Sequence, residues 1–353
     1  MKNQSGSQQV VLGVDTHLDV HVGVVISHSG SLLGTRSVSV NLHGYEDLFH
    51  WATQFGQLEI AGIEGTGTYG AALYRYLQSK GITVIEVNRP DRSKRRMHGK
   101  SDPLDAENAA RAVLAGTATA IPKDKNGACE AIRMVLVARR SAVKAKTQAM
   151  NQIRALLVSG PQEIRERLWR TKAHECAKAC LSVRTLGKTE LSMTLMTTLK
   201  LLARRWTVLA EELSQLDKSL DGLTHEHCKN LRSRMGVGPY TAAALVTVAG
   251  DNPNRLKNES ALAALCGVNP LPASSGKTVR HRLNRGGSRS ANNALWTITL
   301  VRARSDPRTR AYVARRSAEG LSTKEIYRCL KRYIVRELYP LIMDDLSEIT
   351  TVP

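Results

Sequence analysis

The chain has 353 residues, enough for two or three domains with separate cores, and carries 51 Lys and Arg against 31 Asp and Glu, a net charge of +20. Six scattered Cys with no C-x-x-C pair read as reduced cytoplasmic thiols, which argues against a disulfide-stapled scaffold. No apolar stretch reaches membrane-spanning length, since the longest candidate, around Ala242–Ala249, is too short.

The charge is unevenly spread. Residues 1–126 hold 13 basic and 12 acidic side chains, whereas the remainder holds 38 and 19, a net +19. A polycation of that size expects a partner rich in phosphate. With two Phe and four Trp in the chain, stacking on aromatic platforms is expected to be a minor mode beside backbone contacts from Arg and Lys.

Residues 1–9 are polar and expected to be disordered. Three strand-like runs follow, Val10–Val14, Val20–Ile26 and Leu32–Val40, broken by Asp19 and Ser29-Gly30-Ser31, the pattern of an antiparallel meander. A helix is predicted near Tyr45–Phe55, a strand over Leu58–Glu64, a helix over Tyr69–Ser79 and a strand over Ile82–Val87. The basic run Arg89–Lys100 then opens a helix at Ser101-Asp102-Pro103-Leu104-Asp105. Three antiparallel strands followed by strand, helix, strand and helix is the order of the ribonuclease H-like fold. Residues 127–222 predict long helices, with breaks at Gly160-Pro161 and Gly187. Leu201, Leu202, Trp206, Leu209, Leu213, Leu216 and Leu220 recur at the three- and four-residue steps of a helical hairpin or coiled coil. From residue 223 the chain is again punctuated by Gly. Gly236-Val237-Gly238-Pro239 opens a helix as helix-hairpin-helix modules do, and its main-chain N–H groups suit a phosphate. Lys277, Arg280, Arg282, Arg285 and Arg289 lie on or beside a short extended run and a Gly-rich loop, a candidate nucleic-acid-binding set. Helices over Ala291–Ala303 and Lys324–Leu338 close the chain.

The chemistry rests on four carboxylates. Asp15 ends the first strand, Glu64 ends the strand expected beside it, and Asp102 and Asp105 share one face at a helix start. In a ribonuclease H-like sheet these places converge, and four hard oxygen donors suit two Mg²⁺ ions, with Mn²⁺ as a substitute. Two such ions serve phosphodiester displacement. Taken alone, Asp102 is an ideal N-cap before Pro103, and capping would explain Asp102 and Asp105 but neither Asp15 nor Glu64. A rival comes from Gly65-Thr66-Gly67-Thr68-Tyr69-Gly70, a G-x-G-x-x-G between strand and helix with Glu86 downstream, as a dinucleotide fold would want. Glu64 beside the pyrophosphate and the +19 charge count against it. His225-Glu226-His227-Cys228 and the trio His174, Cys176 and Cys180 lack the spacing of a zinc site.

Gly13-Val14-Asp15-Thr16-His17, Ile63-Glu64-Gly65-Thr66-Gly67, Lys100-Ser101-Asp102-Pro103-Leu104-Asp105-Ala106 and Pro270 through Ser275-Gly276 together resemble the Insertion-Sequence-110 family of DEDD transposases, relatives of the Piv invertase. The resemblance spans nearly the whole chain. It implies a RuvC-like catalytic domain over 10–126, a helical coiled-coil region over 127–222 and a C-terminal transposase domain over 223–353. Asp15, Glu64, Asp102 and Asp105 would be both catalytic and metal-binding, and Ser275, beside Ser274, would be the nucleophile that forms a phosphoserine link. Donor and target DNA, a bridge RNA and a dimer-to-tetramer assembly are the implied partners, in a bacterial cytoplasm. The residues by themselves equally suit a RuvC-like junction nuclease without serine chemistry, and a non-catalytic nucleic-acid binder is a third reading.

Overall fold

A computed structural model describes residues 8–87, 101–184, 189–277 and 281–350, with side chains to residue 348. The chain forms two compact units, Met1–Lys125 and Asn126–Pro353.

In the first unit, strands β1 (Gln9–Thr16), β2 (Val20–Ser27), β3 (Leu32–Ser39), β4 (Gln57–Glu64) and β5 (Thr83–Val87) form one sheet in the order β3-β2-β1-β4-β5. The first three are antiparallel and the last two join in parallel, an order consistent with the ribonuclease H-like expectation. Gln9 already belongs to β1, where the sequence had suggested a disordered end. Alternation along β1 sends Val10, Leu12 and Val14 into one core with α1 (Leu42–Thr53) and α2 (Ala71–Ser79). Val11 faces the other side, into a smaller core with Ala106, Ala109, Ala110 and Val113 of α3 (Asp102–Leu114). Helix α1 starts three residues before the predicted Tyr45 because Asn41 Oδ1 accepts the Gly44 N–H at 2.8 Å and caps it.

The second unit is mostly helical. Helices α4 (Ala128–Ser159) and α7 (Glu190–His227) pack along one another as an antiparallel hairpin. Ile132 and Leu136 meet Leu220 in one core, whereas Met150, Ile153 and Leu157 meet Leu195, Met196 and Leu199 in another. Two short helices, α5 (Gln162–Leu168) and α6 (Ala173–Ser182), cover the far end. Of the leucine stripe, Leu213 and Leu220 are buried but Leu201 is exposed. The hairpin's near end shares its core with α8 (Lys229–Arg232), α9 (Pro239–Ala249), α10 (Glu259–Leu265), α11 (Arg289–Ser305) and α13 (Thr323–Thr350). The middle and C-terminal thirds thus have a common interior. Two helices go beyond the sequence expectation. Helix α12 (Pro307–Ala318) fills what read as a gap, started by Asp306, whose Oδ2 accepts the Thr309 N–H at 2.9 Å. Helix α13 runs on through Pro340, because Ile342 and Leu346 beyond it are fully buried and offset the hydrogen bond that Pro removes. Between α10 and α11 a two-stranded ribbon pairs β6 (Pro270–Pro272) with β7 (His281–Leu283).

Candidate active site

Two glycines let α3 lie against the sheet. A Cβ on Gly13 would come within 2.1 Å of the Ala106 carbonyl oxygen, and one on Gly62 within 2.7 Å of the Ala109 carbonyl oxygen. Only residues without side chains fit there, so α3 crosses β1 and β4 at one register. Gly13 and Asp15 share a face of β1, as Gly62 and Glu64 share one of β4, two positions apart. Asp15 and Glu64 therefore stand at the tips of neighbouring parallel strands, on the face that α3 covers. Asp102 and Asp105 both lie in the first turn of α3, Asp102 one turn before Ala106 and Asp105 immediately before it.

The cap position is Ser101 rather than Asp102, and its carbonyl accepts the Asp105 N–H at 3.0 Å. The capping explanation of Asp102 falls away with that shift. Its Oδ1 is 3.4 Å from His17 Nε2, and the same nitrogen is 3.1 Å from Asp15 Oδ2. Ligand atoms of Asp15, His17 and Asp102 all lie within 4.8 Å of one another, and no other such group of His, Cys, Asp and Glu forms among the described residues. The carboxylates of Glu64 and Asp105 fall outside that trio. Asp105 is buried and acts on Asp15 through its charge. Glu64 is half-buried, and its carbonyl accepts the Thr16 hydroxyl at 2.7 Å.

The Asp15 carboxyl is pushed above its ordinary range, first by burial and then by the charges of Asp105 and Asp102, with His17 pulling the other way. Like charges gathered in a half-closed site ask for a cation, and hard oxygens with one imidazole are a donor set that Mg²⁺ or Mn²⁺ accepts. The residues fit a divalent ion. His17 was the residue that sequence reasoning passed over, although its place two positions after Asp15 on one strand direction was a usable signal.

The G-x-G-x-x-G segment is a tight turn. The N–H groups of Thr68 and Gly70 both bond to the Gly65 carbonyl, and Gly65 takes a φ of +75°. The strand order is not that of a doubly wound dinucleotide fold, whose sheet is mostly parallel. In the other singled-out clusters, Cys176, Cys180 and Cys228 are buried, while His174 and His225 are exposed.

In the second unit, Ser274, Ser275, Gly276 and Lys277 are exposed past β6, with Gly276 at a φ of +55°. Arg282 sits on β7, Arg285 follows it and Arg289 begins α11, all three exposed. Arg280, like the basic run Arg89–Lys100 and Gly187, lies outside the described residues. Gly236, at a φ of +82°, turns the chain between α8 and α9 against Ile298. Gly238 precedes α9, and its N–H bonds to Thr241 Oγ1 at 2.9 Å.

The first unit is an α/β sheet whose strand tips and covering helix bring acidic residues and a histidine together in an arrangement that suits a cation, and the second is strongly basic and helical. Residues 12–160, which include all four DEDD carboxylates, match a family model described as a transposase, the DEDD type of IS110. Residues 228–314, which include Ser275, match a second, described as "Transposase IS116/IS110/IS902 family". The two cover about two thirds of the chain, in the family's order, and no curated protein matches it. The chain belongs to the IS110 family of transposases, enzymes of DNA strand transfer.

Proposed function

We propose that this transposase cuts and rejoins DNA through a divalent-metal site held by Asp15, Glu64, Asp102 and Asp105, with His17 as an added donor. The observation that carries this is the meeting of Asp15, His17 and Asp102 at the α3 N-terminus, inside a matched DEDD model. When bound, divalent ions supply Lewis acidity at a scissile phosphate and ease loss of a proton from the attacking oxygen. The chain's own part is to hold four carboxylates on rigid strand ends and a packed helix, so that little reorganises at reaction. A RuvC-like assignment of the first unit rests on its strand order and these positions.

Ser275 is the proposed nucleophile. Its Oγ forms a bond to the scissile phosphorus as the bond to the leaving sugar oxygen breaks. The hydroxyl proton departs and the leaving oxygen is protonated, giving a phosphoserine that a sugar hydroxyl later reverses. Exposure and the Gly276 turn support it, since the hydroxyl stands on an open loop. Lys277, Arg280, Arg282, Arg285 and Arg289 would hold phosphates around that loop, as would the main-chain N–H groups near Gly236 and Gly238. The family resemblance extends the proposal to a bridge RNA that pairs with donor and target DNA, and to a dimer that assembles into a tetramer.

The test is strand cleavage of DNA carrying the element's own ends, with and without Mg²⁺ or Mn²⁺, by the full chain and by Asp15→Asn. Metal-dependent cleavage lost in Asp15→Asn supports the site, and cleavage undiminished in that variant rejects it. Cleavage with no protein–DNA adduct under any condition would favour a metal nuclease without serine chemistry.

A further inference from the structure

The second unit contains a cleft apart from the Ser275 loop. It measures about 1070 Å³ and is walled by the turn after α8, the end of α11 and the facing sides of α12 and α13. Arg234, Arg302, Arg308, Arg315 and Arg336 line it, against the carboxylates of Asp306 and Glu337. Both carboxylates are committed within the fold. Arg302 is buried and donates to Glu337 at 2.6 and 3.0 Å and to the Met235 carbonyl at 2.8 Å. Asp306 accepts from the Thr309 N–H and hydroxyl, which hold its carboxyl below the ordinary range.

What is left over is cationic. Arg234 and Arg308 are exposed and form no ion pair among the described residues. Among the described residues, Arg315 and Arg336 pair at long range, 3.9 Å to Glu319 and 3.6 Å to Glu259. Between these charges stand Tyr312 and Tyr333, edge-on at 5.8 Å and 80°, with the Arg315 guanidinium 5.4 Å over the Tyr312 ring. Tyr333 is 52% exposed, so a large aromatic face meets water beside unspent guanidinium groups.

Such a surface discriminates among partners. An acidic protein would use the arginines and leave the ring idle, and an intact duplex hides its base faces within its own stack. An unpaired nucleotide uses both parts, its base on the ring and its phosphates on the cations. We propose that this cleft receives an unpaired nucleotide of a nucleic-acid strand, with the base against Tyr333 and flanking phosphates at Arg234, Arg308 and Arg315. The proposal rests on the nucleic-acid part of the reading above and does not involve the carboxylate site. It also revises an expectation drawn from the scarcity of Phe and Trp, because the chain's nine Tyr were not weighed there.

The experiment is fluorescence anisotropy of the full chain with a labelled oligo-dT, an oligo-U and a blunt duplex of equal length. Tyr333→Ala should weaken single-strand binding at least about fivefold, the lower end for one stacked base, and change duplex binding by less than about twofold. Tyr333→Phe, which keeps the ring, should bind as the wild type does. Arg308→Ala should make the slope of log affinity against log salt shallower by about 0.7 on single strands. A loss confined to oligo-U assigns the cleft to an RNA strand, and one confined to oligo-dT to a DNA strand. Single-strand binding untouched by Tyr333→Ala, or an equal loss on duplex, overturns the cleft while leaving the transposase reading in place. A wild-type chain that binds none of the three probes overturns both.

Discussion

The main-chain oxygen of Ala106 occupies the space that a side chain on Gly13 would need, 2.1 Å from the ideal Cβ position. The next nearest atom is the Ala110 nitrogen at 2.5 Å, also main chain, so nothing flexible can yield. Gly13→Ala should therefore push α3 off β1 and carry Asp102 and Asp105 away from Asp15. We expect a destabilisation of about 1–3 kcal/mol, typical of overpacking, together with weakened metal binding. Denaturant unfolding and metal titration of the same variant check both, and a variant with wild-type stability would contradict the packing argument.

The second expectation concerns His17. If its Nε2 leaves the two carboxylates and binds the ion, electron spin-echo spectra of Mn²⁺ on the wild-type chain will carry a directly bonded ¹⁴N coupling. His17→Ala should lose that coupling and keep Mn²⁺ at reduced affinity, whereas Asp15→Asn should lower affinity by about tenfold or more. A spectrum without nitrogen coupling, from a site that still binds Mn²⁺, would confine His17 to hydrogen bonding. Chelation of the metal should stop cleavage in all variants.

These two cases show what was legible in the sequence. Asp15 and Glu64 could be placed because each closes an apolar strand, and strand alternation then sets their face once Gly13 and Gly62 show which side α3 covers. Asp102 was placed by its helix start, but its role was divided between cap and ligand until the cap fell on Ser101. His17 was quoted within a motif and given no role, because its two contacts reach a neighbour at i−2 and a helix 85 positions away, and the second is a property of the tertiary fold. Helix α12 was missed for a similar reason: its apolar content is low, and its start depends on the Asp306 cap. The Tyr312 and Tyr333 pairing was invisible to residue counts.

Charge division gives a third expectation. The unit Asn126–Pro353 holds nearly all the excess positive charge, so it should account for most phosphate contacts. Its log affinity for nucleic acid should fall linearly with log salt, at about 0.9 per phosphate contact on duplex DNA. The unit Met1–Lys125 by itself should bind weakly. Equal affinity of the two units for one duplex would contradict the division.

A fourth follows from the pairing of Glu259 with Arg332, which donates to both carboxylate oxygens at 2.5 and 2.9 Å and ties α10 to α13. Arg332 holds the Glu259 carboxyl below its ordinary value of 4.5. A depressed acid contributes its full stability above the unfolded value and loses it as pH falls through the lower folded value. Glu259→Gln should cost no more than about 1 kcal/mol at neutral pH, since the pair is only partly buried and solvent still screens it. The difference from wild type should close as pH drops below 4.5, and a gap that persists at low pH would point to packing instead of charge.

The last expectation is the sharpest for mechanism. A serine hydroxyl attacks phosphorus slowly unless its proton is drawn away or its oxygen is activated. The immediate neighbours of Ser275 are Ser274, Gly276 and Lys277, and no carboxylate or imidazole is among them. Under the proposed function, activation comes from outside the loop, and the proposal makes the serine step depend on the metal held by the carboxylates. Both Ser275→Ala and Asp15→Asn should then abolish the covalent protein–DNA adduct, for different reasons. Ser275→Ala removes the atom that would carry the phosphate and should leave Mn²⁺ affinity unchanged. Asp15→Asn keeps the serine and binds the metal more weakly. Nucleic-acid affinity should be intact in Ser275→Ala, because the hydroxyl carries no charge and the cationic residues beside it remain. Ser274→Ala should form the adduct at a reduced rate. Denaturing gels of the chain with labelled DNA, followed by mass spectrometry of the adducted peptide, read the adduct, and Mn²⁺ titration and fluorescence anisotropy read the two affinities. An adduct mapped to Ser274 would reassign the nucleophile by one position, and an adduct that survives in Asp15→Asn would break the link between the serine and the metal site.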